Sequence, residues 1–422
     1  MTRGFVLRQV VGAALTANAL RPLPGAPASV ATFMSGWLTA ELAPQLAVLT
    51  AVDAGQHLVR HGVKDTSTRV GLGLAAASVA GLGAVIGTGR GAGAVAERAL
   101  EEELGPDYGA EAGGITRVGR PVWRQLSNPF RIRNEDVVRV RNLDYAPGGR
   151  RYRLDVYHRR DMPAGAPILL QIHGGGWVIG NKDQQGLPLM QEMASRGWVC
   201  VAINYPLAPR SKWPAHLIAA KRALAWLREH ATEYGGDPEF VAVTGGSAGG
   251  HLASMVALTA GDSTLQPGFE EADTSVQACV PHYGVYDIAG DTGLEAVRQR
   301  RPLMRLVLGR SARYPDDYRA ASPLARIHPD APPFFVIHGR SDSLIPVAEA
   351  RAFVGALREV SQRPVAYAEL PGAQHAFDVF PSFRSIGVVQ AVGRFLDWAR
   401  QMPEPEQESV AERAELGDAG GR

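Results

Sequence analysis

The sequence predicts an α/β fold: a mostly parallel central sheet covered on both faces, preceded by a helical apolar N-terminal region. Three observations carry this. From about Asp136 short apolar runs alternate with amphipathic stretches, the texture of a parallel sheet with helices on either side. Before about residue 105 the apolar stretches are instead too long for core strands. With 45% hydrophobic and 20% charged residues, the chain can furnish a substantial core.

Taken in order, Phe5 to Leu20 is apolar but broken by Arg8 and too short to span a bilayer. With Ala17-Asn18-Ala19 as a weak cleavage site it imitates a signal peptide. Ala28 to Val52 is interrupted only by Glu41 and Pro44, and Val70 to Thr88 carries no charge. Each is long enough to cross a hydrocarbon layer of about 30 Å. The polar segment between them holds Asp53, His57, Arg60, His61, Lys64, Asp65 and Arg69. Residues 1–105 are therefore expected to form a two-helix membrane hairpin. A soluble cap over an apolar pocket would share this composition, because Glu41 is costly in mid-span and the second stretch is mostly Ala and Gly. Arg3, Arg8 and Arg21 before the first stretch balance Arg60, Lys64 and Arg69 after it, so charge does not orient the hairpin. Two spans return the rest of the chain to the side of its N-terminus, taken as cytoplasmic; a cell-envelope or soluble location is the alternative.

Residues 106–134 read as a linker, 135–402 as the α/β domain, and 403–422 as an acidic disordered tail. Strands are expected near Val137–Tyr145, Tyr152–His158, Ile168–Ile172, Val199–Asn204, Phe240–Thr244, Ala278–Tyr283, Phe334–His338 and Val365–Leu370. Helices are expected near Leu187–Arg196, Pro214–Tyr234, Ala248–Thr259, Val347–Val360 and Ile386–Arg400. Residues 290–330, with the run Leu303–Leu308, read as a lid insertion.

Several function classes recede at once. Net charge is +2 with no basic run, so nucleic acid is not an expected partner. The two cysteines, Cys200 and Cys279, sit in apolar strands without CxxC or histidine spacing. They read as buried small hydrophobes, with no metal site or disulfide framework.

The chemistry begins at Ser247, in Gly245-Gly246-Ser247-Ala248-Gly249-Gly250 between a strand and a helix. A serine at so sharp a corner is forced into strained backbone geometry that lifts its hydroxyl above the sheet, and Gly245 and Gly249 remove Cβ atoms that would clash. With 48 glycines in the chain the motif alone is weak; its placement between strand and helix gives it weight. His173-Gly174-Gly175-Gly176-Trp177 directly follows another strand. Such a loop supplies fixed backbone N–H donors for an oxyanion, each typically worth about 3–4 kcal/mol of barrier. Gly174 and Gly175, with Ala248, are the expected donors, and His173 is expected to anchor the loop. No P-loop Lys or Ser/Thr follows, so phosphate binding is disfavoured.

A nucleophile needs a base and the base an orienting carboxylate. Among eleven histidines position decides: His375 follows the last strand, and Asp342 follows the strand before it. Both would project from the sheet edge where Ser247 emerges, in the order Ser, Asp, His. His251, His282 and His338 read as packing residues, Asp287 as a structural cap, and Asp378 as a rival acid on the wrong side of His375.

These residues resemble the hormone-sensitive-lipase-like branch of the α/β-hydrolase superfamily. The matching segments are His173–Trp177, Asn204–Pro209 with Trp213-Pro214, Gly235–Pro238, Gly245–His251, His338–Asp342 and Gly372–Phe377. One departure stands out: Gly246 occupies the position where that branch commonly has Asp, which moves the likeness toward esterase and kynurenine-formamidase-like relatives. The N-terminal half loosely resembles membrane-associated carboxylesterases of mycobacteria. The resemblance implies an α/β-hydrolase fold and hydrolysis of a small-molecule or lipid ester through an acyl-enzyme on Ser247. His375 would move the proton, and no cofactor would be needed. An amidase or formamidase on the same residues, and a non-catalytic membrane-anchored scaffold, are the alternatives.

Overall fold

The computed structural model describes residues 2–22, 29–111, 122–162, 164–309 and 315–402. The expected acidic tail, 403–422, lies outside the described residues. Eight strands form one sheet: β1 (Val137–Asp144), β2 (Arg153–Arg159), β3 (Ala166–Ile172), β4 (Val199–Ile203), β5 (Gly236–Gly246), β6 (Ala278–His282), β7 (Phe334–Gly339) and β8 (Val365–Leu370). Their order is β1-β2-β4-β3-β5-β6-β7-β8. Only β2 runs against its neighbours; the pairings from β4 through β8 are parallel. β3, β4, β6 and β7 are buried along their whole length, which is why they read as unbroken apolar runs and not as alternating ones.

Helices α1 (Thr2–Leu20), α2 (Ser29–Glu41), α3 (Ala43–His61), α4 (Thr66–Leu104), α5 (Tyr108–Glu111) and α6 (Val122–Ser127) precede the sheet. Helices α7 (Leu187–Ser195), α8 (Ala215–His230), α9 (Ala248–Leu258), α10 (Glu295–Gln299), α11 (Arg301–Leu308), α12 (Pro315–Ala320), α13 (Val347–Val360) and α14 (Phe383–Gln401) follow within it. Two cores result, one on each face of the sheet. One gathers Ile168, Leu170, Val201, Val243 and Phe353; the other gathers Leu169, Phe335, Ile337, Phe395 and Leu396.

The N-terminal region departs from the expected hairpin. Ala28–Val52 is not one helix: the chain turns at Leu42, between α2 and α3. The cause is Glu41. Its side chain is buried, accepts a 2.6 Å hydrogen bond from Ser382 Oγ and pairs with the buried Arg384. A carboxylate that the sequence put in mid-span is thus turned toward α14. The segment expected to be a polar connector, Asp53 to Arg69, runs through the second half of α3, the turn at 62–65 and the start of α4, and α3 and α4 are the true hairpin.

α4 is long enough to serve two structures. Its first half packs α1 in parallel register, with a Cβ on Gly71 reaching within 2.5 Å of the Phe5 ring and one on Gly81 within 2.6 Å of Thr16. At the far end of this bundle His57 stacks on Phe5 with centroids 3.9 Å apart and bonds Thr68 at 3.1 Å. The second half of α4 lies on α14 and β8. A Cβ on Gly387 would come within 2.9 Å of Gly93 Cα, so the two helices touch backbone to backbone. Ala92, Ala96 and Leu100 join the sheet core, and Glu103 accepts the N–H of Val365 at 2.8 Å.

Candidate active site

Ser247 follows β5 and caps α9 with φ 60° and ψ −123°, a conformation unfavourable for a side chain. Its surroundings impose it. The Ser247 N–H donates to His282 O at 3.0 Å, and a Cβ on Gly249 would fall 2.1 Å from Ile172 O. The helix therefore starts hard against the end of β3, with Ser247 half-buried at the corner. Its hydroxyl has no hydrogen-bond partner among the described residues.

Asp342 and His375 meet at the same edge, beyond β7 and β8. His375 Nδ1–H donates to Asp342 Oδ2 at 2.6 Å. The other carboxylate oxygen accepts the N–H groups of Leu344 and Ile345 at 2.9 and 2.8 Å. Burial alone would raise the Asp342 carboxyl. The imidazoles of His375 and His338, through charge and hydrogen bonding, outweigh it and hold the group well below the usual carboxylate range. The ring of Tyr283 is wedged between the two parts of the site. Its centroid lies 4.6 Å from that of His375, and a Cβ on Gly246 would lie 2.6 Å from its hydroxyl. Gly246 thus has a local reason: an Asp there would collide with Tyr283.

The glycine loop sits beside the corner. His173 Nδ1–H donates to Gly174 O at 2.7 Å, and Tyr205 stacks on its ring while its hydroxyl donates to His173 O at 2.9 Å. Burial lowers the His173 pKa to about 4, so the ring is neutral and serves to hold the loop. Trp177 Nε1 donates to His251 Nδ1 at 3.3 Å, and His251 Nε2–H donates to Ala321 O at 2.7 Å. His251 therefore ties the loop to α9 and to the end of the 290–330 segment. Gly174 differs from expectation. Its N–H, expected to face an oxyanion, donates to Gln185 Oε1 at 2.7 Å. The N–H groups of Gly175, Gly176 and Ala248 are engaged by no hydrogen bond among the described residues.

The remaining candidates fall elsewhere. Asp378, the rival acid, accepts from Tyr283 and lies 3.3 Å from His282 Nδ1, while His375 Nδ1 pairs with Asp342. Asp287 accepts the N–H groups of Gly290, Asp291 and Thr292, the cap expected of it. His338 donates to Ile345 O at 2.8 Å. Within 290–330, α11 packs on the edge of the site: Trp213 N–H donates to Val307 O at 3.0 Å, and Leu303 approaches Gly176. Among the described residues no group of three or more His, Cys, Asp or Glu is arranged to hold a metal ion.

The chain is similar to several known proteins. The BD-FAE family model matches residues 154–357, which include Ser247 and Asp342 and stop short of His375. A probable carboxylic ester hydrolase, LipM, of Mycobacterium tuberculosis is 45% identical over 93% of this chain and 92% of its own. The chain belongs to the α/β-hydrolase carboxylesterase family. Esterase LipQ of the same organism is 44% identical over 71% of the chain and 72% of its own length. The crystal structure of esterase B from Lactobacillus rhamnosis, 21% identical, shares the fold with a TM-score of 0.56 over 70% of this chain and 93% of its own.

In this member of the family, sequence reasoning missed the contribution of α2. Phe33 stands edge-on to His375, with centroids 5.6 Å apart, and stacks with Trp37 at 5.8 Å. Gly36 lies against Gln374, whose Oε1 accepts the N–H groups of Ser343 and His375. The only signal in the sequence was two aromatics four residues apart in an apolar run, which reads equally well as membrane or core.

Proposed function

We propose that this chain hydrolyses carboxylic esters through an acyl-enzyme on Ser247. His375 takes the hydroxyl proton as Oγ attacks the ester carbonyl. Asp342 holds the imidazole with its proton on Nδ1, leaving Nε2 free to accept. The N–H groups of Gly175 and Ala248 receive the oxyanion, and Gly174, engaged by Gln185, steadies the loop. The alcohol leaves with the proton from His375. Water then attacks the acyl-enzyme with the same histidine as base, releasing the acid and restoring Ser247. The single observation that carries this reading is the 2.6 Å bond between His375 and the buried Asp342, at the sheet edge where a strained serine caps α9. Ser247→Ala should cut p-nitrophenyl butyrate hydrolysis by about 10⁴-fold or more and abolish fluorophosphonate labelling. Its circular dichroism should stay unchanged, and full activity in the variant would remove Ser247 from the mechanism.

We further propose that α1, α3 and the first half of α4 sit in a membrane. Among the described residues one helix, Thr66–Leu104, is long and apolar enough to cross one. Its first twenty residues measure about 30 Å, a hydrocarbon thickness. Leu7, Val10, Val48, Leu49 and Val59 are exposed on α1 and α3, where Arg8 and Asp53 neutralise each other in an ion pair. Because α1 runs parallel to α4, a spanning bundle puts the N-terminus on the side away from the sheet domain. Extraction by carbonate alone would show that the bundle does not span.

A further inference from the structure

The exposed apolar side chains of this chain continue past the bundle, onto the flank of the site. Ala19 at the end of α1, Ala43 at the start of α3, and Leu82 and Val85 of α4 pack into one cluster. They mark the level where the bundle meets the sheet domain. Gln45 Nε2 donates to Leu126 O at 2.6 Å, which fixes α6 and the turn after it at that level.

This short segment has an unusual surface for the interior side of a linker. Trp123 is 65% and Phe130 69% exposed. Between and beside them stand Arg124, Arg131 and Arg133, all exposed, with no acidic residue from 122 to 133. The Arg124 guanidinium lies over the Trp123 ring at 5.2 Å. Arg21 and Arg90 are exposed near the same level, where α1 ends and α4 leaves the bundle. A cleft of about 460 Å³ is lined by Arg124 and Arg131 together with Glu135 and Asp136. Aromatic rings interleaved with arginines suit the boundary between acyl chains and anionic headgroups, where rings enter the interface and guanidinium groups meet phosphate.

From this surface a row of rings leads inward. Phe130 contacts Phe380 at 5.5 Å between centroids, Phe380 contacts Trp37 at 5.5 Å, Trp37 contacts Phe33 at 5.8 Å, and Phe33 contacts His375 at 5.6 Å. The row crosses three separate parts of the chain, and its far end touches the histidine to which the hydrolytic reading assigns proton transfer.

We propose that the face bearing Trp123, Phe130, Arg124 and Arg131 docks on an anionic phospholipid surface and so brings the flank of the site next to His375 against ester substrate dissolved in that surface. The proposal rests on the hydrolytic reading of Ser247 and His375 and on the membrane reading of the bundle.

The test uses the full chain reconstituted into vesicles of phosphatidylcholine alone or mixed with phosphatidylglycerol. A long-chain fluorogenic ester is dissolved in the bilayer, and p-nitrophenyl acetate is added in water. The expected result is faster turnover of the bilayer ester when phosphatidylglycerol is present. Trp123→Ser/Arg124→Gln/Arg131→Gln should lose that gain, lowering bilayer-ester turnover by about tenfold while acetate turnover holds. Arg124→Lys/Arg131→Lys, which keeps the cations, should retain the gain. Equal bilayer-ester turnover in wild type and triple variant overturns the proposal, as does a parallel fall in acetate turnover. A wild-type chain that cleaves neither ester defeats the hydrolytic reading instead. Docking is then read from Trp123 emission, as the wild-type minus Trp123→Phe difference. A blue shift confined to anionic vesicles supports it, and no shift overturns it.

Discussion

Removing the Glu41 carboxylate should damage both the stability of the sheet domain and its activity, although Glu41 lies far in sequence from every catalytic candidate. Its side chain and that of Arg384 are each 1% exposed, and they are joined by an ion pair. Ser382 Oγ donates to the same carboxylate at 2.6 Å, and Arg384 Nη2 donates to Gly372 O at 3.2 Å, at the start of the loop that carries His375. Glu41→Ala leaves a guanidinium buried and unpaired, a change that typically costs about 3–5 kcal/mol. For a domain of this size that is a loss of roughly 5–10 °C in melting temperature. Because the freed Arg384 also holds the His375 loop, kcat for p-nitrophenyl butyrate should fall along with stability. Glu41→Leu/Arg384→Met removes both charges and should regain most of the melting temperature, since two apolar side chains leave no buried charge behind. Scanning calorimetry on the two single variants and the double variant reads the coupling directly. A Glu41→Ala variant that melts within about 1 °C of wild type, or a double variant no better than the singles, would refute the account of how α2 is held to α14.

Three further outcomes follow from the same contacts. Gln185→Ala frees the Gly174 N–H and should lower kcat by about tenfold with little change in KM, as read by steady-state kinetics; an unchanged kcat would mean that the loop holds itself. Gly246→Asp should destabilise by about 1–3 kcal/mol through overpacking against Tyr283. Adding Tyr283→Ser should recover part of that in urea unfolding, and no recovery would remove Tyr283 as the cause. Lys221 is fully buried, donates to Thr259 O and to Gln266, and is lowered to about 8 chiefly by burial. Its folded value lies below its unfolded one, so between about pH 8 and 10.4 the unfolded chain binds more protons and stability from this group rises with pH. The melting temperature of wild type relative to Lys221→Met should therefore climb across that window; a flat difference contradicts the assignment.

The alternation of apolar strands and amphipathic helices was legible because it is a local pattern. Each of the eight strands overlaps its expected segment, and α7, α8, α9, α13 and α14 lie where helical periodicity put them. The positions of Ser247, Asp342 and His375 at one sheet edge were legible for the same reason: each follows a strand within a few residues, and in a parallel sheet strand ends share an edge. What the sequence could not contain was the choice of partner across long separations. Glu41 reads as a misplaced charge until Arg384 is beside it, and Gly246 as a lost acid until Tyr283 fills the space. Gly174 reads as a free donor until Gln185 takes its N–H. Phe33 becomes part of the site only because α4 carries the N-terminal helices onto α14, with Gly93 against Gly387. The sequence by itself determined the class of fold and the order of its chemical groups, since both lie in short windows of backbone preference. The tertiary structure alone decided which donors stay open and which helix lies against His375, because those depend on packing between segments as far apart in sequence as Glu41 and Ser382 or Phe33 and His375.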